Sequence, residues 1–142
     1  METKLEIRIE SVSDIPGAAK EFLDTVGHRK VFAFDAEMGA GKTTFILGLL
    51  GAMGITNPDG SPTYSLVNVY ESEMFGKVYH FDLYRINSEE EALDIGVEEI
   101  LYSDGVCFIE WPDKIKDLLP DNTIWSYISK NEDESRTLTV EV

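Results

Sequence analysis

The sequence predicts a mixed α/β fold of three layers, in which helices flank a mixed, largely parallel central sheet that also has an antiparallel portion. Three observations support this class. An apolar segment at residues 31–35 leads through a glycine-containing turn into a second, helical apolar segment. The run Val106-Cys107-Phe108-Ile109 is continuously apolar, as in a central strand buried on both faces. Strand-like and helix-like segments otherwise alternate, and 142 residues suit one domain, residues 1–142.

The first half of the chain is predicted to contain two strands and two helices. Residues 5–9 alternate between apolar and charged side chains, which predicts a half-buried strand. A helix follows, with Ser13 as its N-cap and Gly27 at its end. The apolar strand at residues 30–35 then leads into the glycine-containing turn, and the second helix is expected to end near residues 53–54.

The second half is predicted to add two antiparallel pairs of strands to the buried strand already described. One pair joins residues 66–70 to residues 78–84, and the other joins residues 124–128 to residues 137–142. Between them, the capping-box pattern Ser88-Glu89-Glu90-Glu91 predicts the start of a helix.

Charge and composition narrow the possible functions. The formal net charge is −15, from 12 basic and 27 acidic residues, and such a surface repels a nucleic-acid backbone. Tight direct binding of nucleic acid is therefore disfavoured, whereas docking to a basic partner remains open. The N-terminal residues do not resemble a signal peptide, no apolar run is long enough to cross a membrane, and the single cysteine, Cys107, is expected to be buried. We expect a cytoplasmic protein.

The segment Gly39-Ala40-Gly41-Lys42-Thr43-Thr44 has the features of a phosphate-binding loop. Glycines allow successive backbone N–H groups to point at phosphate oxygens, and the following helix adds its unpaired N-terminal donors. Lys42 is expected to reach the outer phosphates, and the Thr43 hydroxyl to bind Mg²⁺. The general pattern has glycine where this chain has Ala36, which alanine can replace if the backbone keeps a negative φ. The fold is therefore expected to resemble that of P-loop NTPases.

Two carboxylates are candidates for metal binding or catalysis beside such a loop. Glu110 follows the buried apolar run, at the strand end where ligands bind in α/β sheets, and is expected to help hold Mg²⁺. In His80-Phe81-Asp82-Leu83-Tyr84-Arg85, alternation places His80, Asp82 and Tyr84 on one face. That face is either a solvated sheet surface or a site where Asp82 holds a metal-bound water or orients an attacking one.

These motifs, together with Ser61-Pro62-Thr63-Tyr64 and Glu110-Trp111-Pro112, stand in the order found in the bacterial TsaE (YjeE) family, which the chain resembles from about residue 13 to residue 120. The resemblance implies a P-loop ATPase, with ATP and Mg²⁺ as cofactors, that is required for threonylcarbamoylation of the adenosine next to the anticodon. It further implies slow ATP hydrolysis by the protein alone and a ternary complex with TsaD and TsaB. The protein would then contact tRNA only indirectly, through these partners.

The resemblance also implies roles for individual residues. Thr43 and Glu110 become the Mg²⁺ ligands, while Lys42 and the amides of residues 39–44 become the phosphate cradle. Thr63 lies in a loop that senses nucleotide, although composition alone makes that segment a turn. Asp82 becomes a water-positioning or metal-supporting carboxylate and, with Lys42 and Glu110, completes the catalytic set. Trp111 becomes a residue needed for activity.

Two other functions remain as alternatives. A small-molecule or nucleoside kinase would have the same loop. It would also need a lid and commonly several arginines around the phosphates, whereas this chain has only four arginines in all. A GTPase-like interaction module is disfavoured because the guanine-specifying pattern Asn-Lys-x-Asp is absent from the sequence. The residues that contact adenine are not predicted by any motif; the turn at residues 11–14 and the region around Arg136 are the candidates.

Overall fold

A computed structural model describes residues 4–37, 39–56, 58 and 66–141 of the chain. It contains a seven-stranded sheet and four α-helices, and two 3₁₀ segments at Val12–Asp14 and Pro112–Leu118. The strands are β1 (Lys4–Ile9), β2 (Val31–Ala36), β3 (Val67–Ser72), β4 (Gly76–Asp82), β5 (Val106–Glu110), β6 (Ile124–Lys130) and β7 (Arg136–Glu141). The helices are α1 (Ile15–Val26), α2 (Lys42–Ala52), α3 (Glu89–Asp94) and α4 (Val97–Leu101).

The strand order across the sheet is β1-β7-β6-β2-β5-β4-β3. Strand β2 lies between β5 and β6 and is parallel to both, and β4 is parallel to β5. The hairpins β3–β4 and β6–β7 and the edge strand β1 form the antiparallel portion. The predicted mixed α/β class is therefore confirmed, with a sheet that is partly parallel.

Helices cover both faces of the sheet, because the central strands are apolar on both sides. Helices α1 and α2 pack on one face over an aromatic core that includes Phe22, Phe32, Phe34, Phe45 and Phe108. Helices α3 and α4 and the second 3₁₀ segment cover the other face, over a core that includes Phe81, Leu101, Ile109 and Ile115. All five residues of β5 are buried, as the continuous apolar run predicted.

Two details of the chain differ from the sequence predictions. The N-cap assignment of Ser13 is wrong, since Ser13 lies inside the first 3₁₀ segment and α1 begins at Ile15. Asp14 organises this entry instead, because its carboxylate accepts hydrogen bonds from the backbone N–H groups of Glu10 and Ser11. Strand β4 ends at Asp82, two residues before the predicted end.

Other boundaries follow the sequence. Ser88 caps α3 as predicted, with its Oγ accepting from the N–H of Glu91 at 3.4 Å. In the part of the chain that is described, none of the helices combines the length and the apolar character needed to cross a membrane.

Candidate functional site

The phosphate loop joins the end of β2 to the start of α2, at the edge of the sheet where the parallel strands β2, β4 and β5 end. Gly39 and Gly41 have φ angles of 84° and 101°, a left-handed conformation that favours glycine. Gly41 is also the N-cap of α2, and its carbonyl accepts the first helical bond, from Phe45 N at 3.0 Å. The loop therefore ends at the N-terminus of a helix, where backbone donors and the helix dipole favour an anion.

Ala36 fits the loop without glycine. It is the last residue of β2, and among the described non-glycine residues only Trp111 and Glu134 have a positive φ. The expectation that alanine is accommodated by a negative φ is thus confirmed. Its carbonyl oxygen accepts a hydrogen bond from Lys42 Nζ at 3.3 Å.

Lys42 is buried at the mouth of this loop, with only 6% of its surface exposed. Its Nζ lies 3.6 Å from the centre of the Trp111 ring, a cation–π distance. Burial lowers the pKa of Lys42 below its ordinary value, and the carboxylates of Glu110 and Asp82 oppose that shift. A lysine that is partly desolvated and faces a cleft is suited to binding an anionic group.

Glu110 connects the loop to the sheet. Its Oε1 accepts a hydrogen bond from Thr43 Oγ1 at 2.8 Å, and its Oε2 lies 2.6 Å from His80 Nε2. Glu110 is 3% exposed and His80 is fully buried. The two residues predicted to bind the metal are therefore in direct contact, and each oxygen of the carboxylate has a different partner.

Asp82 and Trp111 complete the wall of the cleft. Asp82 is paired with Glu110 in the β4–β5 register, and its Oδ1 accepts from the N–H of Tyr84 at 3.1 Å. The Tyr84 and Trp111 rings lie 5.1 Å apart. Trp111 has a φ of 60°, a backbone conformation that is rare in residues other than glycine. Residues with such strained backbones are often found at functional sites.

These residues enclose a cavity of about 380 Å³. It is lined by Gly39, Gly41, Lys42, Thr43, Thr44, Asp82, Tyr84, Glu110 and Trp111. The structure thus brings together the loop, the metal-ligand candidates and Asp82. Ala40 faces a different cavity, and Thr63 lies outside the described residues.

The solvated-surface interpretation of residues 80, 82 and 84 is wrong for His80. This side chain is fully buried and shares a sheet face with Val78, which belongs to the core covered by α1 and α2. Sequence reasoning placed His80 beside Asp82 but did not identify it as the partner of Glu110. The signal was the alternation of β4 together with the parallel register of β4 and β5, which the sequence does not specify.

The two regions considered for adenine meet on the other side of the phosphate loop. A cavity of about 180 Å³ there is lined by residues of the first 3₁₀ segment and of α1, by Ala40, Gly41 and Thr44, and by Glu134 and Arg136. The Arg136 Nε donates to the carbonyl of Ala40 at 2.8 Å, which ties β7 to the loop.

The donor set suits magnesium. A threonine hydroxyl and a carboxylate supply hard oxygen ligands, which Mg²⁺ prefers, and Mg²⁺ commonly takes only one or two protein carboxylates plus phosphate oxygens and waters. Within the described residues there is no group of three or more His, Cys, Asp or Glu side chains that could hold a metal by itself.

Comparison with known proteins gives one family. The family model described as "Threonylcarbamoyl adenosine biosynthesis protein TsaE" matches residues 9–138. Two proteins named tRNA threonylcarbamoyladenosine biosynthesis protein TsaE illustrate the similarity. That of Borreliella burgdorferi is 40% identical over 113 residues, which are 79% of this chain and 81% of its own. That of Treponema pallidum is 37% identical over 110 residues, 78% of this chain and 80% of its own.

A solved structure shares the fold. The crystal structure of Bacillus subtilis YdiB matches with a TM-score of 0.80 and 26% sequence identity, and the match covers 100% of this chain and 87% of YdiB. The similarity therefore extends over all of the elements described above.

Proposed function

Because the chain belongs to the TsaE family of threonylcarbamoyl adenosine biosynthesis proteins, we propose that it serves this tRNA modification as a subunit that binds Mg²⁺–ATP and hydrolyses it slowly. The contact between Thr43 and Glu110 carries the proposal, because it joins a helix N-terminus shaped for phosphate to a carboxylate suited to Mg²⁺.

Each lining residue has a task in this proposal. The amides of residues 39–44 and Lys42 bind the phosphates, with Lys42 exchanging its contact with Trp111 for a phosphate oxygen. Thr43 and Glu110 hold Mg²⁺, which when bound neutralises charge on the phosphates. Asp82 orients the attacking water or a metal-bound water, since its carboxylate lines the same cavity.

The composition of the cleft supports the proposal that the isolated protein hydrolyses ATP slowly. The described lining residues include no arginine, the side chain that often stabilises the charge developed during phosphoryl transfer. We propose that partner proteins complete the site. These partners are the TsaD and TsaB homologues, which the protein meets in the cytoplasm. The acidic surface supports indirect contact with tRNA, through those partners.

We further propose that adenine enters the cavity beside Arg136. This cavity shares Gly41 and Thr44 with the phosphate cleft, so a ligand in the cleft extends toward it. Its apolar lining by Val12 and Ile15 suits the faces of a base.

Calorimetric titration with ATP, in the presence and absence of Mg²⁺, tests the proposal. Lys42→Ala is expected to weaken ATP binding at least roughly tenfold, since a hydrogen bond to a charged group contributes about 1.5–3 kcal/mol. Lys116→Ala is the matched control, because it removes an exposed lysine that is not part of the cleft lining.

Phosphate release to water, measured in the same samples, separates an ATPase from a kinase. Unchanged ATP affinity in Lys42→Ala, or phosphate transfer only to an added small-molecule acceptor, would contradict the proposed function.

A further inference from the structure

The two oxygens of the Glu110 carboxylate are not equivalent. Oε1 faces the phosphate loop, where the Thr43 hydroxyl donates to it at 2.8 Å. Oε2 faces inward, to His80 Nε2 at 2.6 Å. His80 has no exposed surface and does not line the cleft, so it acts on the site only through Glu110.

The other ring nitrogen of His80 determines which tautomer the structure favours. Nδ1 is buried and has no hydrogen-bond partner among the described residues. A proton on Nδ1 would be a buried donor without an acceptor, whereas a proton on Nε2 is used in the bond to Glu110. The geometry therefore assigns a proton to Nε2, where it is donated to Glu110.

This bond commits one carboxylate oxygen before any metal arrives. With Oε2 turned inward to His80, Oε1 is the oxygen that Glu110 presents to the cleft, where the Thr43 hydroxyl is its partner and where a metal ion or its bound water would meet it. Mg²⁺ takes six ligands in octahedral geometry and accepts carboxylates through one oxygen, whereas Ca²⁺ takes six to eight and readily binds both oxygens of a carboxylate. The number of Glu110 oxygens that face the cleft thus bears on metal choice.

We propose that His80 is a positioning residue that makes Glu110 a one-oxygen ligand and thereby favours Mg²⁺ over Ca²⁺ in the nucleotide complex. This inference rests on the proposed function, since it needs a metal–nucleotide complex in the cleft. It assigns His80 a role beyond filling the core covered by α1 and α2, where an apolar side chain would pack without leaving Nδ1 unpaired.

The test compares two substitutions of His80. His80→Leu removes the donor and keeps an apolar side chain, whereas His80→Gln keeps an N–H donor of similar reach. Ser126→Ala is the control, because Ser126 is also buried in the sheet and its Oγ has no partner among the described residues. The affinity of each protein for a non-hydrolysable ATP analogue is measured without metal, with Mg²⁺ and with Ca²⁺.

The expected result is a change in the ratio of the two metal-dependent affinities. In His80→Leu the Mg²⁺ to Ca²⁺ ratio should fall by up to roughly 10- to 100-fold, the range by which loss of a residue that orients a metal ligand lowers metal affinity. His80→Gln should keep most of the preference and Ser126→Ala all of it. Binding without metal should be the same in all four proteins, which a general loss of packing would not produce.

Several outcomes overturn the inference. An unchanged ratio in His80→Leu, or equal losses in the Leu and Gln variants, shows that the donor has no role in metal choice. A wild-type protein that binds both metal complexes equally well overturns the inference alone. A wild-type protein that binds no metal–nucleotide complex overturns the proposed function and this inference with it.

A measurement on the wild-type protein decides the case if His80→Leu does not fold. Nitrogen-15 NMR of the imidazole rings distinguishes the tautomers, and His28→Gln assigns the two histidines of the chain. We expect a proton on Nε2 of His80, with and without Mg²⁺–nucleotide. A ring protonated only at Nδ1 cannot donate to Glu110, and that result overturns the inference.

Discussion

Cys107 is the second residue of β5, three positions before Glu110. It is fully buried, and its Sγ lies 3.9 Å from the carbonyl oxygens of Ile100 and Gly105. Burial raises the pKa of the Cys107 thiol to about 12. The thiol is therefore protonated and shielded in the folded protein, as the apolar run around it predicted.

We expect Cys107 to be unreactive toward a thiol reagent at about pH 8 in the native protein and to react fully in denaturant, because only the exposed thiolate is nucleophilic. Rapid native labelling would contradict this burial.

The raised pKa of Cys107 also makes the stability of the protein depend on pH. From about pH 9 upward the unfolded chain binds fewer protons at this thiol than the folded protein does, so the free energy of unfolding falls as pH rises to about 12. Cys107→Ala should remove that part of the pH dependence.

Single residues of the site were predictable to different degrees. Lys42, Thr43 and Glu110 could be predicted because each occupies a fixed place relative to a glycine turn or to the end of a buried strand. The contact between His80 and Glu110 could not, since it depends on which strands are neighbours and in what register. The left-handed backbone of Trp111 also leaves no signal in the sequence, because the residue type disfavours it.

At the scale of elements, the packing of α1 against α2 depends on one glycine. A Cβ added at Gly48 would lie 2.3 Å from Cγ2 of Ile15 at the start of α1, closer than real contacts allow. A Cβ added at Gly51, one turn further along α2, would meet nothing within 4 Å. The two glycines thus form a matched pair within one helix.

Gly48→Ala is expected to lower the free energy of unfolding by about 1–3 kcal/mol, as overpacking of a close contact commonly does. Gly51→Ala should raise it by up to about 1 kcal/mol, because alanine has the higher helix propensity and has room here. Urea denaturation of both variants checks the two signs. Equal shifts would show that helix propensity alone, and not the contact with Ile15, determines the effect.

The sequence predicted the existence of the main elements better than their limits. The apolar alternation of β1 and the continuous run of β5 are strong signals, and both strands are present. The N-cap of α1 and the end of β4 differ from the predictions. A 3₁₀ segment precedes α1 and a turn follows β4, and the residues in both have the same preferences as the helix or strand beside them. Sequence pattern does not distinguish these local alternatives, which hydrogen bonds formed in the folded chain decide.

At the scale of the whole molecule, the charge of −15 constrains the choice of partner. A protein this acidic is expected to associate with a basic surface, and its association rate should fall as salt screens the attraction. From the sequence, the charge disfavoured direct binding of nucleic acid, and the family resemblance implied that contact with tRNA is indirect. The order of the strands could not be predicted from the sequence.

We expect the protein to form a complex with its TsaD and TsaB homologues that is detected by size-exclusion chromatography when Mg²⁺ and ATP are present. ATP hydrolysis should rise on assembly, because a partner would supply the arginine that is absent from the described lining of the cleft. Lys42→Ala is the control for nucleotide dependence. Absence of a complex under every nucleotide condition, or hydrolysis by the isolated protein at about 10 s⁻¹ or faster, a typical enzyme rate, would contradict the accessory role.

The position of β2 in the sheet has a consequence for synthesis on the ribosome. The phosphate loop is translated early, yet the strand that supports it pairs only with β5 and β6, which are made much later. Such non-local pairings delay folding. The hydrophobic residues of β2 are therefore exposed to solvent until β5 and β6 have been synthesised. A ribosome paused before Val106 would therefore carry a nascent chain that contains every residue of the loop and cannot yet bind a nucleotide.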